Sequence, residues 1–200
     1  MCPLLETIKL EDGCLCNIAG HNRRMNAART ELFQRVKPID LAEIIRIPEN
    51  CRSGLYRCRI LYGRDIEKIE FIKKAPRKFN KLKVVRHDEI DYHLKYADRT
   101  ILNDLYARRG DADEIIIIKQ GLVTDCTIGN LVFWDKNRWI TPDSPLLNGT
   151  QRQSLLEQNL IVEKRISGAD LAAFSQAGII NVFHTLENMP VISGKNIITG

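Results

Sequence analysis

The stretch from residue 113 to residue 134 constrains the fold more than any other part of this 200-residue chain. Four consecutive isoleucines, residues 115–118, follow an acidic pair and end shortly before Gly121, which predicts a buried strand stopped by a turn. A second apolar run begins at Asn130, and residues 139–140 follow it across a polar tip, which indicates a hairpin. These short strands predict a small β-barrel with helices in the second half of the chain.

The first 80 residues have the pattern of a smaller α+β lobe. Their apolar periods predict a hairpin at residues 5–10 and 14–18, a helix at 21–36, and paired strands at 56–62 and 68–73. The polar segment 77–81 leads to the second part, where we expect helices at 100–109, 150–160 and 168–174 and a strand at 178–183. The sequence therefore predicts the α+β class with two lobes, residues 1–80 and residues 81–200.

Composition and the N-terminal sequence indicate where in the cell the protein is located. No run approaches the roughly 18 apolar residues of a membrane span, and the N-terminus lacks a basic region followed by an apolar core, so we expect no membrane partner and a cytoplasmic location. The six cysteines are scattered and are expected to be reduced thiols. Cys14 and Cys16 would share one strand face, but no second ligand pair accompanies them, so no metal site is predicted.

The formal net charge of +5 raises the question of nucleic acid. Acidic residues lie between most of the basic runs, and aromatic residues do not alternate with them as stacking platforms would. We therefore expect no nucleic-acid partner. An anionic cofactor and an anionic substrate would also suit a positively charged cleft.

Lys95 and Asp125, thirty residues apart, supply a specific chemistry. A lysine amine can form a Schiff base with an aldehyde, and a carboxylate can hold a pyridinium nitrogen protonated. These are the two groups that pyridoxal phosphate (PLP) requires from a protein. Lysine and aspartate are common, so the pair alone is weak support.

The order of the surrounding motifs makes the case stronger. After Lys95 come the isoleucine strand, then Gly121, Thr124-Asp125, Asn130 with an apolar run, Thr141-Pro142, and finally Leu147-Asn148-Gly149-Thr150-Gln151-Arg152. This order resembles the class IV PLP-dependent aminotransferases, the fold type IV group that contains branched-chain aminotransferase, D-amino acid aminotransferase and 4-amino-4-deoxychorismate lyase. The resemblance runs from about residue 5 to about residue 191. It implies a two-lobed fold type IV PLP enzyme that is similar to D-amino acid aminotransferase.

The resemblance assigns roles to individual residues. Lys95 would hold PLP covalently and then act as the general base, and Asp125 would meet the pyridine nitrogen, where the family has glutamate. Arg24, in a motif similar to the family's H-x-x-R-L, would contact the cofactor phosphate. The other expected cofactor-binding residues are Thr127, Asn130, Gly149, Thr150 and Gln151, and the candidate substrate residues are Arg59 and His184.

Several of these residues also have a structural interpretation. Asp125 could belong to a turn, Asn130 could set the geometry before its strand, and residues 149–151 could form a plain helix cap. The same segment could also offer backbone N–H groups and a positive helix end to a phosphate. Arg24 and Arg59 could be ordinary surface arginines.

Within the family, the end of the chain favours one activity. Residues 181–191, with their Met-Pro-Val ending, resemble the lyase pattern more than the Gly-Thr-Ala loop of branched-chain enzymes. The resemblance therefore implies a lyase that converts 4-amino-4-deoxychorismate into 4-aminobenzoate and pyruvate for folate synthesis. A branched-chain or D-amino acid aminotransferase stays open, and so does a non-catalytic remnant of the fold or a basic binding protein.

The family also implies a homodimer. Residues 5–7 resemble its F-E-T motif but stand almost at the start of the chain, so we expect the small lobe to lack the family's first strands.

Overall fold

The computed structural model describes residues 2–199, which form two compact units. One unit comprises residues 2–76 together with Leu94–Asp98, and the other comprises Arg77–His93 together with residues 99–199. Helices and strands occur in both, as the α+β class requires. Among the described residues, no helix is long and apolar enough to cross a membrane.

The first unit is a four-stranded antiparallel sheet with helices. Its elements are β1 Leu4–Glu11, β2 Cys14–Leu15, α1 Ile18–Phe33, α2 Leu41–Ile44, a 3-10 helix Glu49–Cys51, β3 Leu55–Tyr62 and β4 Ile66–Lys73. The strand order is β2-β1-β3-β4, so the predicted strand pair and the predicted hairpin both form, but the second strand of the hairpin ends at Leu15 and not at residue 18, where α1 begins. Even-numbered residues of β1, including Leu4 and Ile8, share a buried core with Met25 of α1 and Ile60 of β3.

Helix α1 begins three residues earlier than the sequence indicated. The side chain of Asn17 accepts a hydrogen bond from the Gly20 N–H, which caps the helix and allows Ile18 to be its first residue. The prediction placed the start after Gly20 because glycine disfavours helix interiors. The cap bond offsets that preference.

The second unit contains two sheets. Its elements are β5 Leu82–Arg86, α3 Thr100–Ala107, β6 Glu114–Lys119, β7 Leu122–Val123, β8 Asp125–Cys126, β9 Gly129–Trp134, β10 Trp139–Pro142, α4 Thr150–Glu157, β11 Ile161–Lys164, a 3-10 helix Gly168–Ala173, β12 Gln176–Ile180, β13 Val191–Ser193, a 3-10 helix Gly194–Asn196 and β14 Ile197–Ile198.

One sheet of this unit has the strand order β14-β5-β6-β7, and the other has β11-β10-β9-β12-β13 with β8 paired to β9. Residues from both sheets, such as Ile116 and Ile118 of β6 and Phe133 of β9, pack in one buried core. The isoleucine strand is almost wholly buried, as its unbroken apolar run predicted. The segment predicted as a helix at 168–174 forms a 3-10 helix instead.

The division of the chain differs from a single boundary after residue 80. The segment Leu94–Asp98, which contains Lys95, groups with the first unit. The reason is backbone pairing: the Leu5 N–H donates to the Lys95 carbonyl at 2.8 Å, and the Ala97 N–H donates to the Pro3 carbonyl at 2.8 Å. Lys95 therefore lies beside β1, whereas the sequence interpretation had assigned it to the second lobe.

Candidate active site

Lys95 is fixed through its backbone. Its carbonyl is bonded to Leu5, and its neighbour Tyr96 forms an antiparallel bridge with Leu4. Leu94 is buried in the core of the first unit, and the Lys95 side chain is only half-buried. The lysine is therefore anchored through its backbone and by the residues on both sides of it.

Arg24 lies near the start of α1 and pairs with the neighbouring strand. Its Nε and Nη2 atoms donate to the two carboxylate oxygens of Glu6 at 2.9 and 2.6 Å. His21, one turn earlier, contacts the same carboxylate through Nδ1 at 2.6 Å. Arg24 is therefore a partly buried member of an ion-pair cluster, which its interpretation as an exposed surface arginine did not anticipate.

Glu6 is fully buried and ionised. Burial alone would raise its pKa, but the Arg24 guanidinium and the hydrogen bonds from His21 and Arg24 outweigh this effect and lower the pKa to about 2. Sequence reasoning assigned Glu6 no role. The available signal was its phase on β1, where a charged residue shares the buried face of Leu4 and Ile8.

Arg59, the candidate substrate residue of the first unit, lies on β3. It faces Glu70 on β4 across the sheet, and its Nη1 donates to Glu70 Oε2 at 2.8 Å. Both side chains are partly exposed. The pair is an ordinary cross-strand ion pair, and it leaves the proposed contact with a substrate carboxylate untested.

In the second unit, Asp125 is buried on β8 with 4% of its surface exposed. Its Oδ1 accepts a hydrogen bond from the Asn130 amide at 2.8 Å, and its Oδ2 accepts one from the Leu147 N–H at 2.9 Å. Burial raises its pKa to about 7, and these two hydrogen bonds and Arg152 only partly oppose the shift. A buried carboxyl group of this kind gains most from a cationic partner.

Asn130 connects three parts of this unit. Its amide nitrogen donates to Asp125 and also to the Leu147 carbonyl at 2.8 Å, which ties β8 to the loop before α4. Gly149 packs directly against it, because a Cβ atom at residue 149 would overlap Asn130 Oδ1. This contact supplies a reason for glycine at 149 that does not involve a phosphate.

Thr127 contacts a second buried acid. Its hydroxyl lies 2.9 Å from both carboxylate oxygens of Glu114, at the start of β6, and its carbonyl accepts a hydrogen bond from Arg99. Burial raises the pKa of Glu114. The sequence predicted Thr127 as a site residue, but nothing in its pattern identified Glu114 as the partner.

The N-terminus of α4 is the predicted phosphate position. Gly149 is its N-cap residue, and no side chain caps this end within residues 2–199. Thr150 is buried and Gln151 is half-buried in the first turn. Arg152 also lies in the first turn, and its Nη2 donates to the Pro142 carbonyl at 2.8 Å and to Glu163 at 2.6 Å. Arg152 thus connects α4 to β10 and β11.

His184 closes a tight turn with Asn181, because each backbone N–H donates to the carbonyl of the other. The Asn181 side chain donates to the Ile128 carbonyl at 3.2 Å, so the turn lies beside the loop after Asp125. The His184 ring packs edge-on to Phe79. The 181–184 turn therefore lies near β8. The contact between His184 and a substrate stays a prediction.

These residues fit PLP. A buried carboxyl group whose pKa is raised suits a pyridinium nitrogen, an uncapped helix N-terminus and an arginine suit a phosphate, and a half-buried lysine suits an aldehyde. Lys95, Arg24 and Arg59 belong to the first unit, and the other predicted residues belong to the second.

Comparison with known proteins identifies the family of the chain. The family model "Amino-transferase class IV" matches residues 4–191. An "Uncharacterized protein" of Haemophilus influenzae is 40% identical over 188 residues, which are 93% of this chain and 100% of its own length.

Solved structures agree as well. The structure of "a putative 4-amino-4-deoxychorismate lyase" from Haemophilus somnus has a TM-score of 0.86 at 42% identity, over 92% of this chain and 98% of its own. A "hypothetical aminotransferase" from Mycobacterium tuberculosis in a PLP-bound form has a TM-score of 0.74 at 16% identity, over 99% of this chain and 84% of its own. The chain is therefore a member of the class IV aminotransferase family, a PLP-dependent enzyme of fold type IV.

Proposed function

We propose that this enzyme is a lyase that converts 4-amino-4-deoxychorismate into 4-aminobenzoate and pyruvate, a step of folate synthesis. The observation that carries the proposal is the similarity, at 42% identity over nearly the whole of both chains, to the protein named for that activity in Haemophilus somnus. The Met-Pro-Val ending of residues 181–191, which resembles the lyase pattern, supports the same choice.

The proposal gives each residue a task. Lys95 holds the cofactor aldehyde through its amine and later takes a proton from the substrate carbon that bears the amino group. Asp125 keeps the ring nitrogen protonated, and Asn130 holds Asp125 in place. Arg24 and the backbone N–H groups of Thr150 and Gln151, at the start of α4, bind the phosphate.

The cofactor, when bound, supplies an electron sink for the charge left after proton removal. Loss of pyruvate then leaves an aromatic ring, which makes the elimination favourable. Thr127 and the 181–184 turn would line the substrate side, with Arg59 and His184 as candidate contacts for its carboxylates.

A transaminase acting on branched-chain or D-amino acids would use the same lysine. It differs in needing a keto acid to accept the amino group. The matching family carries the aminotransferase name, so this is the second candidate.

One assay separates the two candidates. Purified enzyme with PLP is incubated with 4-amino-4-deoxychorismate in the absence of any keto acid, and pyruvate and 4-aminobenzoate are measured. The proposal expects both products in equal amounts. Strict dependence on a keto acid, or conversion of the cofactor by leucine or D-alanine, would establish the transaminase instead.

A second experiment tests Lys95. Borohydride reduction of the PLP-loaded protein followed by peptide mapping is expected to place the adduct on Lys95. Lys95→Ala should lose the adduct and at least about 10²–10⁴ of the rate, the usual contribution of a positioned general base. Lys119→Ala, whose side chain donates to the Ile90 carbonyl, is a control and should keep both. A protein without any adduct would support the non-catalytic remnant.

We also propose that the enzyme acts as a homodimer, as the family resemblance implies, and that it works in the cytoplasm.

A further inference from the structure

Glu6, His21 and Arg24 form a group of hydrogen-bonded side chains in the first unit, which we call the Glu6 cluster. Glu6 and His21 are fully buried, and the cluster adjoins the apolar core formed by Leu4, Ile8 and Met25. Removing a carboxylate and a guanidinium from water costs several kcal/mol per ion, and a well-packed apolar pair is often equally stable. Stability alone is therefore a poor reason for this cluster.

A second arginine of the same helix shows that α1 can bury a guanidinium without an acid. Arg29 is 2% exposed, and its Nε and Nη2 atoms donate to the Arg64 carbonyl at 2.9 and 2.7 Å. Its Nη1 donates to the Lys37 carbonyl and to the Asn26 side chain. Backbone carbonyl groups and one side-chain amide thus accept all the hydrogen bonds described for the buried Arg29 guanidinium, whereas the Arg24 guanidinium is held by a carboxylate.

The geometry of the pair fixes the orientation of Arg24. Glu6 takes Nε and Nη2, one side of the planar guanidinium, in a two-point contact that prevents rotation of the group. His21 Nδ1 shares Oε2 with Arg24 and so limits the rotation of the carboxylate itself.

We propose that Glu6 is a positioning residue for the cofactor phosphate: it holds the Arg24 guanidinium in the orientation that binds the phosphate, and His21 holds Glu6. This inference rests on the proposed role of Arg24 as a phosphate ligand. Glu6 itself does not touch the cofactor. Its effect should therefore depend on whether the ligand carries a phosphate.

The test compares PLP with pyridoxal, which has the same aldehyde and ring but lacks the phosphate. The dissociation constants of both are measured by absorbance for the wild type, Glu6→Gln, Arg24→Lys and the double variant. We expect Glu6→Gln to weaken PLP by about 10–100-fold, as loss of a supporting contact to a ligand residue does in metal sites. Pyridoxal binding should change by less than about twofold.

The double variant checks that Glu6 acts through Arg24. Because the two side chains form one contact, Glu6→Gln should add little to the loss already caused by Arg24→Lys. Arg29→Lys is the matched control. It should lower the melting temperature but leave the ratio of the PLP and pyridoxal dissociation constants unchanged. If Glu6→Gln does not fold, Glu6→Asp, which shortens the contact by one methylene, must show the same selective loss of PLP.

Two outcomes would overturn the inference. One is an equal loss of PLP and pyridoxal in the Glu6 variants, and the other is full additivity with Arg24→Lys. Failure of the proposed function has a different signature: in that case Arg24→Lys itself leaves PLP binding unchanged, or the wild type binds neither ligand.

Discussion

At the residue scale, the buried acids of this protein have opposite electrostatic environments. Glu6 is hydrogen-bonded to a guanidinium, and its pKa falls to about 2, whereas the hydrogen bonds to Asp125 come from neutral N–H groups, and burial raises its pKa to about 7. Glu114, opposite the Thr127 hydroxyl, shifts in the same direction as Asp125. The sign follows from the partner, since burial opposes the charged form in each case.

The Asp125 shift predicts how stability depends on pH. In the cofactor-free protein its folded pKa, about 7, lies above the ordinary value of 3.8, so the folded state holds an extra proton between these values. Its stabilising contribution is therefore complete below about pH 4 and is lost as the pH rises to about 7. Asp125→Asn cannot titrate and should reduce this downward slope in urea unfolding measured across the window.

Cofactor binding provides the control for that experiment. A pyridinium beside Asp125 would favour the carboxylate, so PLP should flatten the slope in the wild type but leave Asp125→Asn nearly unchanged. Identical slopes for wild type and variant without the cofactor would contradict the raised pKa of Asp125.

The sequence identified the residue types of the site better than their contacts. Lys95, Asp125 and Asn130 could be selected because their order along the chain matches a family pattern. The pairs Glu6–Arg24 and Glu114–Thr127 could not be selected, because each joins residues that are distant in sequence and meet only through strand register or packing. No local period encodes such a contact.

At the scale of elements, patterns of period two and unbroken apolar runs were reliable. Strands β1, β3, β6 and β9 lie within a residue or two of their predicted bounds, because burial on a sheet face directly requires these patterns. Short or partly exposed elements were missed. The two-residue strand β14, which pairs in parallel with β5, has no pattern long enough to be recognised.

The junction between β9 and α4 gives a prediction at this scale. In Gly149→Ala the new methyl group would overlap Asn130 Oδ1 and so displace the amide that holds Asp125. We expect a loss of about 1–3 kcal/mol in the free energy of unfolding, as for other overpacked sites, and weaker cofactor binding.

Gly168→Ala is the matched control. Its new methyl group would meet Ile118 Cδ1 at 3.6 Å, an ordinary contact, so stability should change by less than about 0.5 kcal/mol. Chemical denaturation and PLP titration measure both variants. Equal stability of the two variants would show that Asn130 can move away from a side chain at residue 149 with no loss in the free energy of unfolding.

At the scale of the whole molecule, the proposed homodimer can be measured directly. The strand β4 lies at the edge of its sheet, and Ile72 on that strand is 44% exposed, a combination that proteins usually cover. We expect light scattering of the enzyme to give about twice the 22.9 kDa mass of the chain. A single-chain mass at every concentration would contradict the dimer.

The segment Leu94–Asp98 belongs to the first unit although it follows β5, so the first unit cannot be completed before part of the second has been synthesised. During synthesis, Pro3 and Leu5 can bond to Ala97 and Lys95 only after β5 of the second unit has emerged from the ribosome. Neither unit can therefore be produced intact by cutting the gene at one point. An engineer who wishes to exchange the first unit between relatives must transplant two pieces of chain, and Lys95 belongs to the second piece.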